Sequence, residues 1–175
     1  TLQVPEFSIQ KCSITDIDRL SSLGVETFVQ AFNKQNTESN MEQYLSKSFA
    51  KRQMYSELSQ PHSHFYFGMY DGQIAGYLKL NEGPVQMDLS EERSMEVQRL
   101  YILSDYHSKG LGKYLMNQAI LKARSSGFTS IWLGVWELNA KAIRFYEQLG
   151  FKKFDEHSFM LGDEAQIDHL MRLTF

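Results

Sequence analysis

The segment Leu100-Tyr-Ile-Leu-Ser-Asp-Tyr-His-Ser-Lys-Gly-Leu-Gly-Lys113 limits the fold more than any other stretch of this chain. A strand-like apolar run ends at Leu103, a turn carrying Gly110 and Gly112 follows, and a helical pattern begins at once. A helix N-terminus exposes unpaired N–H groups and the positive end of a dipole, which suits a phosphate. The two glycines let such a group approach the backbone without Cβ interference, and Lys109 and Lys113 add charge beside it. Two familiar phosphate loops do not fit. A Walker A loop needs Gly-Lys-Ser/Thr, and Lys113 is followed by Tyr114. A dinucleotide fingerprint needs a third glycine or alanine where Leu115 stands, and it usually opens the first βα unit.

The flanking pattern supplies the elements around this loop. FSIQKCS alternates and predicts a strand from Phe7 to Cys12. Thr15 opens a helical pattern with Ile17, Leu20, Leu23, Phe28 and Phe32 on one face. Ser39 and Glu42 form a capping-box signature ahead of Tyr44, Leu45 and Phe49. The first third is therefore mostly helical. HFYFGMYDGQIAGYLKL is two strand-like runs around Asp71-Gly72, a hairpin signal because both positions accept positive φ. NEGPVQMDLSEE reads as a loop. SMEVQRLYIL reads as a strand, with Glu96, Gln98 and Leu100 on one face and Val97, Arg99 and Tyr101 on the other.

Leu111, Tyr114, Leu115 and Ala119 then share the stripe of a helix that stops near Gly127. TSIWLGVW is a strand, and Asn139 caps the helix AKAIRFYEQL, which ends at Gly150. FKKFDEHSFM and QIDHLMRLTF read as two closing strands. The hairpins call for antiparallel pairing, while the strand-helix-strand stretch from Ser94 to Trp136 allows a parallel crossover. No repeat or linker divides the chain, so residues 1–175 read as one domain. The expected class is α/β (α+β), a mixed sheet covered by helices.

Composition narrows the function classes. A net charge of -3 with no basic stripe argues against a nucleic-acid partner. Cys12 is the only cysteine, which excludes an intrachain disulfide and a cysteine-based zinc cluster and suits a reducing compartment. His62, His64, His157 and His169 show no ligand spacing with a carboxylate or cysteine, so no metal is expected. There is no signal-peptide pattern and no apolar run long enough to span a bilayer. The expectation is a cytoplasmic protein with no membrane partner.

A third phosphate motif fits the loop. His107-Ser-Lys-Gly110-Leu-Gly112 resembles the pyrophosphate loop of the GNAT acetyltransferases, Gln/Arg-x-x-Gly-x-Gly/Ala, with His107 in place of the usual first residue. Glu96-Val97-Gln98-Arg99-Leu100-Tyr101-Ile102 resembles the strand that precedes that loop in the family. Asn139-Ala-Lys-Ala142-Ile-Arg-Phe145-Tyr146-Glu-Gln-Leu-Gly150-Phe151 closely resembles the later family segment Asn-x-x-Ala-x-x-Phe-Tyr-x-x-x-Gly-Phe. The order of elements is similar over nearly the whole chain. Three stretches, IWLGVWELNAKAIRFYEQLGF, SFMLGDEAQIDHLM and the early ETF…NME segment, look like the PaiA-type bacterial spermidine/spermine N-acetyltransferases, from about Ile9 to the C-terminus.

The resemblance implies a GNAT fold: a twisted, mostly antiparallel sheet of about seven strands flanked by helices. It implies acetyl-CoA as cofactor and an amine as acceptor, with a polyamine leading and direct attack on the thioester without an acyl-enzyme. Residues His107, Ser108, Lys109, Gly110, Leu111, Gly112 and Lys113 would hold the pyrophosphate. Leu100, Tyr101 and Ile102 would pair with the pantetheine arm, and Asn139 would touch the cofactor. Tyr146 matches the general acid toward the CoA sulfur, and Glu96 matches a general base that often works through water.

By family topology the acceptor groove lies between the first helices and the later strands, where Glu26, Phe28, Phe32, Glu38, Glu42, Trp136 and Glu137 are candidates. Carboxylates there would pair ammonium groups, and aromatic faces would hold methylene spacers. A homodimer is compatible with the family. A GNAT enzyme acting on a protein or another small amine, and a non-catalytic acyl-CoA sensor, remain alternatives.

Overall fold

A computed structural model describes residues 2–86 and 93–175. In chain order the elements are β1 (Phe7–Lys11), α1 (Ile17–Phe32), α2 (Glu38–Ser48), α3 (Lys51–Leu58), β2 (Ser63–Tyr70), β3 (Gln73–Asn81), β4 (Ser94–Ile102), α4 (Leu111–Ser125), β5 (Ser130–Trp136), α5 (Ala140–Gln148), β6 (Lys152–Leu161) and β7 (Glu164–Thr174). The strands form one seven-stranded sheet in the order β1-β2-β3-β4-β5-β7-β6. All neighbours run antiparallel except β4 and β5, which are joined through α4 and pair in parallel.

Both sheet faces are covered. One carries α4 and α5 over Leu78, Leu80, Met95, Val97, Ile131 and Leu133. The other carries α1, α2 and α3 over Phe65, Phe67, Tyr77 and Leu161. The alternating apolar positions of the central strands require this arrangement, because both rows are removed from water only between two helical layers. No helix among the described residues is long and apolar enough to cross a membrane.

Local signals account for most of the element ends. Asp71 and Gly72 adopt φ of 47° and 78°, and the Asp71 carboxylate also accepts from the Glu6 amide at 2.8 Å, tying the hairpin to the start of β1. Asn139 caps α5, its Oδ1 accepting from the Ala142 amide at 3.2 Å.

Two helix starts differ from the sequence expectation. The turn before α1 begins at Ser13, whose amide donates to Asp16 at 2.9 Å, rather than at Thr15. The N-cap of α2 is Thr37, whose Oγ1 accepts from the Asn40 amide at 3.2 Å; Ser39 and Glu42 lie inside the helix. Thr37 has the extended backbone that a cap needs, and Ser39 is already helical. The expected loop 81–92 opens with Asn81 still in β3, followed by a short turn at Gly83–Val85; its residues 87–92 lie outside the described residues.

The alternation expected along β4 is broken. Leu80 pairs with Val97 and Lys79 pairs with Arg99, so Gln98 is an additional residue with no opposite number. This β-bulge resets the pleat. Val97 and Leu100 consequently share the α4 face, while Arg99 and Tyr101 turn to the other side. An expectation of strict period two could not anticipate it.

Candidate active site

The bulge sits where the sheet opens. β4 and β5 pair only from Ser94↔Ser130 to Val97↔Leu133. Beyond that point β4 continues against β3 alone and β5 continues against β7 alone. A bulge strengthens local twist, so β4 swings away from its parallel neighbour at the residue where the extra amino acid is inserted. The result is a V-shaped cleft of ≈ 390 Å³ between two strands of one sheet, within the usual range for a ligand site. The edges of β4 and β5 that face one another across the V have no inter-strand partner there among the described residues, which leaves them available to an extended ligand.

One end of the cleft is the glycine turn. Ser108 and Gly110 adopt φ of 60° and 93°, a conformation that wraps the backbone around the start of α4. His107, Ser108, Gly110, Leu111, Gly112 and Lys113 line the cleft at the N-terminus of this 15-residue helix. His107 directs Nε2 to the carbonyl of Ile102 at 2.7 Å. A carbonyl only accepts, so Nε2 carries the hydrogen, and the imidazole fastens the loop to the end of β4. Lys109 departs from the expected set. Its ammonium lies over the rings of Tyr70 and Tyr106, 5.4 and 5.7 Å from their centroids, and it is not part of the cleft wall.

The walls are β4 from Val97 to Ile102, β5 from Leu133 to Trp136, and α5 through Asn139, Ala142, Phe145 and Tyr146. Leu100, Tyr101, Ile102, Asn139 and Tyr146 therefore come together as the sequence suggested. Burial pushes the Tyr146 phenol up to about 12, so it holds its proton at any pH near neutrality. Its ring packs edge-on against Phe151, at 5.8 Å between centroids.

Glu96 is buried at 3% exposure and does not line the cleft; the Asn81 amide nitrogen donates to its Oε1 at 2.8 Å. A proton could reach it from the cleft only through an intervening group. The acceptor candidates divide. Trp136 and Phe32 line the cleft in edge-on contact at 5.3 Å, and Trp136 Nε1 donates to Gln166 at 2.9 Å. Phe28 instead stacks on Tyr44 at 4.5 Å inside the core. Glu26, Glu38, Glu42 and Glu137 are exposed and outside the lining.

Sequence reasoning missed Thr27 and Gln30, which bring α1 to the cleft. The Gln30 side chain accepts from the Ser104 amide at 2.8 Å and so ties α1 to the loop before α4. Nothing in the spacing of α1 singles it out, because its partner is 74 positions away. The ionic side chains lining the cleft are Arg99, Lys113 and Lys141, with no carboxylate among the described residues, a balance suited to a polyanionic cofactor.

The acetyltransferase (GNAT) family model matches residues 25–151 of the sequence. This chain belongs to the GNAT family. It is accordingly an N-acetyltransferase with acetyl-CoA as acetyl donor. An uncharacterized N-acetyltransferase of Lactobacillus delbrueckii subsp. lactis is 36% identical over 164 residues, covering 94% of this chain and 95% of that one. A spermidine N(1)-acetyltransferase of Thermoplasma acidophilum is 24% identical over 151 residues, covering 84% and 89%. The crystal structure of the PaiA N-acetyltransferase from Thermoplasma acidophilum in complex with coenzyme A superposes with a TM-score of 0.78 at 22% identity, over 97% of this chain and 99% of that one. The seven-stranded sheet with its helical layers is thus the GNAT fold.

Proposed function

We propose that this enzyme acetylates a primary amine, with spermidine or spermine as the leading acceptor, by direct attack on the thioester inside the V-shaped cleft. The observation that carries the chemistry is the parting of β4 and β5 at Val97 and Leu133, with the N-terminus of α4 at one end and Tyr146 on the wall. Pyrophosphate binds at the loop amides from Ser108 to Gly112, with Lys113 beside them, while Lys109 braces the loop from its aromatic partners. The pantetheine arm adds to β4 along Leu100, Tyr101 and Ile102 like a further strand. Asn139, besides capping α5, contacts the arm.

The amine lone pair attacks the thioester carbon and the carbon–oxygen π pair moves onto oxygen. Collapse of this intermediate breaks the carbon–sulfur bond, and Tyr146 protonates the departing thiolate. One ammonium proton leaves toward Glu96 through water before the attack and so frees the lone pair; the second N–H proton, shed as the amide forms, returns to the Tyr146 phenolate. Direct attack is favoured because Cys12, the one thiol, is buried outside the cleft with its pKa pushed up to about 12 by burial, next by the Asp16 charge.

The polyamine reading rests on the Thermoplasma spermidine acetyltransferase and on two carboxylates next to cleft residues. Glu26 lies one helical turn before Gln30 on the same face of α1, and Glu137 directly follows Trp136. They would hold the distal ammonium at the rim while Phe32 and Trp136 pack the methylene spacer. Glu38 and Glu42 add negative charge on α2. A cytoplasmic location is part of this reading, and the single buried thiol, Cys12, is compatible with a reducing compartment. CoA release measured with acetyl-CoA against spermidine, spermine, small monoamines and short peptides tests the reading. Selective turnover of the polyamines is expected; turnover of peptides alone overturns the polyamine assignment, and absence of turnover with every amine overturns catalysis.

A further inference from the structure

The bulge residue Gln98 is held by a chain of hydrogen bonds whose polarity can be worked out. The Glu96 carboxylate only accepts, so Asn81 must turn its NH2 group toward it, at 2.8 Å. Asn81 Oδ1 is meanwhile satisfied by the Ser63 hydroxyl, which donates at 2.8 Å. The second hydrogen on Asn81 Nδ2 is directed at Gln98, 2.7 Å away, and that contact is favourable only if Gln98 offers its oxygen. The two arms of a planar amide diverge. With Oε1 drawn inward by Asn81, the Gln98 NH2 group is the arm left for the cleft that Gln98 lines, and it has no partner among the described residues. Asn81 is 1% exposed and Glu96 3%, so both are rigidly enclosed.

Position gives this donor a target. Gln98 is the first β4 residue past the last β4–β5 pair, at the apex of the V. The N-terminus of α4 lies by Ile102, at the open end, where a Cβ built on Gly112 comes 3.4 Å from the Ile102 side chain. Four residues of strand separate the two points, about 13 Å. A cofactor anchored at the loop and laid along β4 therefore brings its thioester to Gln98. An NH2 group cannot take a proton from an ammonium, and a polyamine contains no oxygen. At the reacting centre two oxygens can accept from it, the acetyl carbonyl and the water that relays the proton to Glu96; of these the carbonyl is the one that gains negative charge as the amine attacks.

We propose that the Gln98 side-chain amide donates to the carbonyl oxygen of the acetyl thioester and stabilises the negative charge gathered there as the amine attacks, with Asn81 and Glu96 as positioning residues that fix its direction. The proposal rests on the amine-acetylation reading above. Removing one such donor costs on the order of 100-fold or more in turnover.

The test pairs Gln98→Leu with Gln98→Glu, which keeps the shape and the acceptor for Asn81 but has no hydrogen to give. Both are expected to lose about 100-fold in kcat, with KM for the amine and Kd for CoA within about twofold of wild type. Asn81→Ala should lower kcat less, and should lower it no further when Gln98→Leu is already present. An independent readout is the infrared carbonyl stretch of bound [1-13C]acetyl-CoA, which a hydrogen bond lowers; it should move to higher frequency in Gln98→Leu. Unchanged kcat, an effect confined to the amine KM, or a carbonyl band that does not move overturns the proposal. If the wild type binds acetyl-CoA but acetylates no amine, the functional reading fails, and the carbonyl band still decides the role of Gln98.

Discussion

Tyr146 and Cys12 are both pushed up to about 12 by burial, yet the consequence differs because only Tyr146 faces the cleft. A thiol held protonated in the core is inert as a nucleophile. In the proposed mechanism, a phenol held protonated beside the CoA sulfur is the reservoir for the proton that the thiolate needs. Tyr146→Phe keeps the ring contacts with Phe145 and Phe151 and removes only the hydroxyl. It should lower kcat by about 100-fold and leave CoA affinity unchanged, as read by steady-state kinetics and calorimetry. A rate within threefold of wild type would remove Tyr146 from the mechanism. Glu96→Gln separates a base from a positioning group: loss of the acidic limb of the pH–rate profile marks a base, and an unaltered profile at reduced kcat marks positioning.

At the scale of elements, α3 is pinned to the sheet by charge. Glu57, on α3, forms a salt bridge with Lys79 on β3 and with Arg99 on β4, the latter at 3.2 Å, and Arg99 also lies 5.3 Å from the Phe49 ring centroid. Burial alone would raise the Glu57 carboxyl, but Arg99 and then Lys79 outweigh it and hold it below its ordinary value of 4.5. Burial, and then Arg99, push Lys79 down to about 8 against the pull of Glu57. Glu57→Gln leaves the buried Arg99 cation without its carboxylate and drives Lys79 toward its neutral form, and should cost about 3–5 kcal/mol, visible as an earlier denaturant midpoint at unchanged m-value. Because the folded carboxyl titrates below the unfolded one, its stabilisation is complete above pH 4.5 and is lost as pH falls through the folded pKa. Wild-type stability should therefore fall in acid by a component that Glu57→Gln lacks. The same strand carries Lys79 toward this network and Asn81 toward Gln98, so β3 serves both the packing of α3 and the site.

For the whole molecule, the sheet is two halves that share few backbone bonds. Among the described residues β1–β4 and β5–β7 pair only over the four positions from Ser94 to Val97, extended by the Thr129 amide donating to the Arg93 carbonyl at 2.9 Å, with α4 spanning the seam. A ligand in the V touches both halves and should act as a stabiliser. At a CoA concentration of about 100 times Kd the gain is about 2.7 kcal/mol, which raises Tm by roughly 5–10 °C in a chain of this size. Gly112→Val supplies the control. A Cβ there meets Ile102 and Phe145 at ordinary contact distances of 3.4 and 3.6 Å, so the backbone has room for a side chain, while in the proposed binding mode the added methyls obstruct the pyrophosphate path. That variant should keep its own Tm and lose the CoA shift in differential scanning fluorimetry. A full shift in Gly112→Val would mean that the cofactor does not pass over this turn.

Short-range chemistry was legible in the residues themselves. The Asp71-Gly72 hairpin, the Asn139 cap and the glycine turn before α4 each depend on a few adjacent positions, and each stands where its chemistry requires. The same holds for the apolar stripes that assign helices and strands to two layers. What the residues alone could not reveal depends on partners far along the chain. The extra residue at Gln98 is defined by what Lys79 and Leu80 pair with, and it is this insertion that parts β4 from β5. Phe28 and Phe32 carry the same side chain one turn apart, yet one stacks on Tyr44 in the core and the other meets Trp136 at the cleft, a difference set by partners that lie far along the chain. Sequence determined which local structures form and which cofactor they suit; the tertiary structure decided where the sheet opens, and so which polar groups line the cleft.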